Sequence, residues 1–157
     1  MNIITVKNLS KQFKSLTAVD DISFTVNEGE VFGFLGPNGA GKTTTIKMMA
    51  GLLQPTGGSV EIGGFDVQKD PLRAKSITGF IPDRPYLYEK LTAEEFMRFV
   101  AELYAMAGPA ARIRDLLELF GLSDWAGELV ENFSHGMKQR LVMASSLLHE
   151  PRVLVVD

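Results

Sequence analysis

The nine residues from Gly36 to Thr44, GPNGAGKTT, constrain this chain more than any others. They satisfy G-x-x-x-x-G-K-[ST] and stand between an apolar run, VFGFLG at 31–36, and a stretch patterned as a helix from about Lys42 to Leu53. That strand, loop and helix setting is what the pattern needs, and at average residue usage a chance match is roughly a one-in-a-few-hundred event. Gly36, Gly39 and Gly41 let the backbone curl until successive N–H groups converge on phosphate oxygens, with a helix N-terminus behind them. Lys42 adds a point charge toward the β and γ phosphates, and the Thr43 hydroxyl suits Mg2+, a hard cation that keeps most of its waters. The plainer reading is a glycine-rich turn before a helix; the context favours nucleotide binding. The loop alone does not name an enzyme, because kinases, GTPases, helicases and transport ATPases all use it.

Around the loop the pattern is α/β. IITVKNL and DISFTV read as strands, and Ile22, Phe24 and Val26 alternate with Ser23 and Thr25 as in a half-exposed antiparallel strand. VFGFLG lacks that alternation and is expected to be a central parallel strand buried on both faces. QPTGGS ends the first helix, and SVEIGG and SITGFIP read as further strands. The character then changes to helix. Thr92 and Glu95 form a capping box ahead of Phe96, Phe99, Val100 and Leu103, and Gly108 with Pro109 stops that helix. A second stripe carries Ile113, Leu116, Leu117 and Phe120, and a third Met137, Leu141, Ala144 and Leu148. PRVLVVD, 151–157, returns to a buried strand with a carboxylate at its tip. The plan is one domain over 1–157, with a helical insert at about 92–132.

At 157 residues, 45% hydrophobic and 22% charged, the chain falls within the ordinary globular range. A net charge of -3 argues against a broad polyanion-binding surface, so nucleic acid is not an expected partner. With no cysteine, disulfides and thiol chemistry are excluded. No apolar run approaches the ~18 residues of a membrane span, so any membrane role is expected to run through a partner.

From FLGPNGAGKTTTIKMMAGL through NFSHGMKQRLVMASSLLHEPRVLVVD, the chain resembles the ATP-binding subunits of ATP-binding-cassette (ABC) transporters, in particular those of bacterial ABC-2-type exporters. The resemblance covers all 157 residues in order. It implies a P-loop NTPase cassette with an antiparallel β subdomain, a parallel-sheet core and a helical subdomain, incomplete at the C-terminus. ATP and Mg2+ are the implied cofactors, with Gly36, Pro37, Asn38, Gly39, Ala40, Gly41, Lys42, Thr43 and Thr44 holding the phosphates. Phe13 stands where the family places an aromatic that stacks on adenine; on its own it also reads as a core phenylalanine. FSHGMKQR, 133–140, matches the family signature, with Phe133, His135 and Met137 as departures and Ser134 and Gly136 retained. Without the family, NFSHGM is only an N-capped helix start. With it, Ser134, His135, Gly136 and Met137 are expected to face the ATP of a second subunit, His135 as an interface residue rather than an acid or base.

Asp83, in FIPDRPYLY, occupies the place of a family glutamine that contacts metal and attacking water; it is a candidate Mg2+ ligand or simply the start of a D-R-P turn. Asp157 matches the carboxylate that holds Mg2+ together with Thr43, the alternative being a buried acid paired with a base. The resemblance implies hydrolysis by a glutamate following Asp157 and a γ-phosphate-sensing histidine, neither present. The 157-residue polypeptide is therefore expected to turn ATP over ~10²–10⁴-fold more slowly than an intact subunit. Its sheet is expected to end on an unpaired edge. The implied partners are a membrane-spanning transporter subunit and a second ATP-binding subunit, identical or not, at the cytoplasmic face of the inner or plasma membrane. Two other functions stay open: a non-catalytic ATP-binding module, and a soluble ABC ATPase acting on nucleic acid or ribosomes.

Overall fold

The computed structural model describes all 157 residues, Met1–Asp157. It begins with two twelve-residue strands, β1 (Asn2–Phe13) and β2 (Leu16–Asn27). They pair antiparallel across a two-residue turn, Lys14 and Ser15, so that Phe13 faces Leu16. β3 (Gly57–Ile62) adds to the other edge of β1, and β4 (Phe65–Asp66) to β3, giving the order β2-β1-β3-β4. Ile4, Val6, Leu9, Val60 and Ile62 of β1 and β3 are buried, as apolar β-formers should be.

That helix, α1 (Lys42–Met49), is shorter than its pattern suggested. Gly51, at φ +67°, ends it: the Gly51 amide donates to Met48 O at 3.1 Å and the Leu52 amide to Lys47 O at 2.9 Å, the two bonds of a Schellman stop. α2 (Pro71–Ser76) was not read from the sequence, although Pro71 directly after Asp70 is a start signal. β5 (Thr78–Ile81) follows it, and β6 (Val153–Val156) pairs with β5 in a separate two-stranded parallel sheet.

The run 31–36 is not a strand. Val31 and Leu35 are 99% and 97% exposed, where burial on both faces was expected. A strand exists through hydrogen bonds to its neighbours, and neither sheet contains one beside this segment. Its aromatic residues find local partners instead: Phe32 stacks on Phe24 of β2 at 5.0 Å between ring centres, and Phe34 meets both rings edge-on at 5.4 Å. β6 departs from expectation in the same way. Val153 and Val155 are buried on one face, but Leu154 and Val156, which point to the opposite face, are 46% and 53% exposed.

The chain divides into two compact units, the first comprising Met1–Thr78 with Arg152–Val155 and Asp157, the second Gly79–Pro151 with Val156. The second unit is helical: α3 (Ala93–Leu103), α4 (Ala110–Leu119) and α5 (His135–Ser146). Phe96, Met97 and Ala101 of α3, Ile113, Leu116 and Leu117 of α4, and Leu141 and Ala144 of α5 form one core, closed by Leu122, Val130, Phe133 and Leu148. The capping box is present in both directions, with Glu95 N donating to Thr92 Oγ1 at 3.2 Å and Thr92 N to Glu95 Oε2 at 2.8 Å. Pro109 caps α4 rather than stopping α3, which already ends at Tyr104, followed by Ala105 at φ +51°.

Candidate functional site

Residues 36–41 form an irregular loop that runs into α1, whose first turn holds Lys42, Thr43 and Thr44. The loop's closing residue, Gly41, has φ +87°, and a Cβ there would lie 2.4 Å from the Ala18 carbonyl of β2. Only glycine satisfies both the backbone angle and that approach. Gly41 is also the N-cap of α1, and no side chain bonds the amides of the first turn. Those amides point out of the helix as donors suited to an anion. Inside the loop, Lys42 Nζ donates to Gly36 O at 2.6 Å and to Pro37 O at 2.7 Å, which holds the ammonium over the loop. Ala40 N donates to Pro37 O at 3.2 Å and tightens the turn.

A cleft of about 380 Å³ opens beside the loop, lined by Asn38, Gly39, Gly41, Lys42, Thr43 and Thr44 on one side and by Phe13, Leu16, Thr17 and Ala18 of the β1–β2 hairpin on the other. Phe13 is 43% exposed, so it is not the core phenylalanine of the plainer reading. The hairpin residues Leu16, Thr17 and Ala18 were missed by sequence reasoning. Their signal is the tight turn after Phe13, which brings Leu16 opposite it. Gly36, Pro37 and Ala40 shape the loop without lining the cleft.

At the loop's far end, Thr43 Oγ1 donates to Asp157 Oδ1 at 2.9 Å. These residues are separated by 114 positions, and β6 is what delivers the carboxylate to the helix start. Two oxygens that far apart match an edge of a Mg2+ octahedron, about 2.9 Å for metal–oxygen bonds of about 2.05 Å. One neutral and one anionic hard oxygen also suit the ion chemically, since Mg2+ takes one or two carboxylates and completes its shell with water and phosphate. No cluster of three or more His, Cys, Asp or Glu side chains exists that would serve as a cage made wholly of protein. The residues present therefore fit Mg2+.

The remaining candidates belong to the second unit. Ser134 is the N-cap of α5, its Oγ accepting from Met137 N at 3.3 Å. Ser134 and His135 are exposed, and a Cβ on Gly136 would meet nothing within 4 Å. Met137 is half-buried against the helical core. Phe133 is buried and meets Trp125 edge-on, fixing the chain just before the cap. The N-terminal turn of α5 is also tied by Lys138, whose ammonium donates to Glu89. The hydrogen bond and the charge of Lys138 together hold the Glu89 carboxyl below the usual glutamate range. Asp83 is exposed in the bend after β5. Neither Asp83 nor any of Ser134, His135, Gly136 and Met137 lines the cleft.

Comparison with known proteins decides the family, because the sequence family described as ABC transporter matches residues 19–157. The chain belongs to the ABC transporter family. Among similar ABC proteins, the uncharacterized ABC transporter ATP-binding protein YhcH of Bacillus subtilis (strain 168) is 43% identical over 159 residues, covering 99% of this chain and 50% of YhcH. YbhF of Escherichia coli (strain K12), named a probable multidrug ABC transporter ATP-binding protein, is 41% identical over 157 residues, covering 99% of this chain and 27% of YbhF. A solved ATP-binding subunit of an ABC transporter superposes with a TM-score of 0.91 at 34% identity, covering 99% of this chain and 65% of that one. The chain thus spans half the length of one of these curated relatives and about a quarter of the other. The α/β cassette expected from the resemblance is the fold of these ABC neighbours.

Proposed function

We propose that the cleft binds Mg-ATP, and that this chain is the ATP-binding part of a transport ATPase of the exporter type. The observation that carries the reading is the Thr43–Asp157 hydrogen bond, which joins the phosphate-loop hydroxyl to the one carboxylate at the end of β6. The triphosphate lies along Gly36 to Thr44, with backbone amides and the Lys42 ammonium as donors. Phe13 stacks on adenine from the hairpin side of the cleft. Thr43 and Asp157 hold Mg2+, which when bound offsets charge on the phosphate oxygens; exposed Asp83 is a weaker candidate for the same ion. During in-line attack of water, Lys42 and the loop amides stabilise charge on the transferring phosphoryl group.

Ser134 and Gly136, with His135 and Met137 beside them, act on the ATP of a second ATP-binding subunit in a two-fold dimer. A membrane-spanning subunit at the cytoplasmic face of the membrane receives the resulting motion. The segment at about 92–132 is the helical subdomain of a single nucleotide-binding domain.

Calorimetric titration of Mg-ATP into the full chain tests the reading. Replacing Lys42 with Ala removes a charge-assisted donor, so affinity should fall about 10- to 100-fold. Unchanged affinity would overturn the assignment of the phosphates to this loop.

A further inference from the structure

Lys11 lies two residues before Phe13 on β1, outside the cleft, and makes two contacts that bear on it. Its ammonium sits over the Phe13 ring, 5.0 Å from the ring centre. The same ammonium donates to Gln54 O at 2.8 Å, in the segment that follows α1. Neighbouring bonds fasten the same two segments together: Gln12 N donates to Thr56 Oγ1 at 3.0 Å, and Thr56 N to Ser10 O at 2.9 Å. The phosphate loop feeds the N-terminus of α1, and Gln54 lies just beyond its C-terminus. Lys11 is thus one side chain that ties the aromatic wall of the cleft to the segment following the helix that carries the phosphate loop.

The physical consequences run the same way. Phe13 ends its strand next to a turn and is 43% exposed, so little packing fixes its ring. A cation over one face of an aromatic ring is attracted by the ring's negative π-cloud, which limits the ring's freedom. Lys11 does not line the cleft, so its side of the ring is not the side offered to a ligand. The ring face left to the cleft is then presented flat, at a spacing from the loop that the Lys11–Gln54 bond helps to set. Stacking depends on that face and on no particular hydrogen bond, so the device favours an aromatic base joined to a triphosphate and distinguishes no one base.

We infer that Lys11 is a positioning residue for nucleotide binding: it holds Phe13 from behind by a cation–π contact and, through Gln54, sets the distance between base stacking and phosphate binding. This rests on the reading that Phe13 stacks on the base.

The test measures ATP, GTP and inorganic tripolyphosphate binding to the full chain, each with Mg2+. Lys11→Met keeps the length and apolar stem and removes the charge. It should weaken ATP and GTP about two- to fivefold, the size of an exposed cation–π contact, and leave tripolyphosphate unchanged. Lys11→Arg, which restores a cation over the ring, should recover most of the loss. In Phe13→Ala, which itself weakens ATP, adding Lys11→Met should cause no further loss. An equal loss for tripolyphosphate would mean a general structural role and overturn the inference. So would unchanged ATP affinity in Lys11→Met. If Phe13→Ala leaves ATP unaffected, the stacking reading fails and Lys11's role with it; if Phe13→Ala weakens ATP but Lys11→Met does not, only the Lys11 inference fails.

Discussion

Gly39 and Gly41 have nearly the same backbone, φ +82° and +87°, but different surroundings. A Cβ on Gly39 would meet nothing within 4 Å, whereas one on Gly41 would lie 2.4 Å from Ala18 O and 3.2 Å from Val19 Cγ2. Alanine at either position costs about 1–2 kcal/mol for the left-handed backbone. At Gly41 the clash adds to this and pushes the loop away from β2. Chemical denaturation should therefore show Gly41→Ala clearly less stable than Gly39→Ala, with Mg-ATP binding reduced more in the former. Equal stabilities would mean that the approach to Ala18 is not what requires glycine at 41. The motif around these residues was legible in the sequence because its chemistry is local. The Thr43–Asp157 pairing was legible only through the family resemblance, which gives both residues to one Mg2+, since nothing local says that residues 114 apart will meet.

Among the elements, those specified by short-range pattern formed as expected and those specified by neighbours did not. The strands over IITVKNL and DISFTV and α3 with its capping box follow from alternation and T-x-x-E, whereas the hairpin turn at Lys14 and Ser15 was not read. The run 31–36 and the strand β6 share high apolar content, yet burial depends on what lies beside them. Segment 31–36 has no flanking strand and stays irregular, while β6 pairs with β5 but has only one face covered. α2 was missed for a different reason: six residues give too short a window for helical periodicity to register. The capping box offers a direct check at this scale. Thr92→Ala removes the acceptor for Glu95 N and should destabilise α3 by about 1 kcal/mol, seen as a lower urea midpoint with unchanged slope. Thr92→Ser should retain most of the stability. Equal losses in both variants would argue that packing at Thr92, not capping, matters.

For the molecule as a whole, the two units carry different parts of the proposed chemistry. The first holds the phosphate loop, Phe13, Lys11 and Asp157; the second holds the signature residues Ser134 and Gly136 on α5 and the exposed Asp83. No helix is long and apolar enough to cross a membrane. Membership of the ABC transporter family accounts for both sets of residues, because one is proposed to act on its own ATP and the other on a partner's. The proposed metal chemistry depends on Thr43 and Asp157 holding Mg2+ against nucleotide phosphates. The direct measurement is ATP affinity with Mg2+ and with EDTA, at equal ionic strength, for the native chain and for Asp157→Asn. Mg2+ should strengthen ATP binding to the native chain, and Asp157→Asn should remove most of this gain while leaving affinity in EDTA no weaker, since the carboxylate repels metal-free phosphates. An undiminished gain from Mg2+ in Asp157→Asn would contradict this assignment.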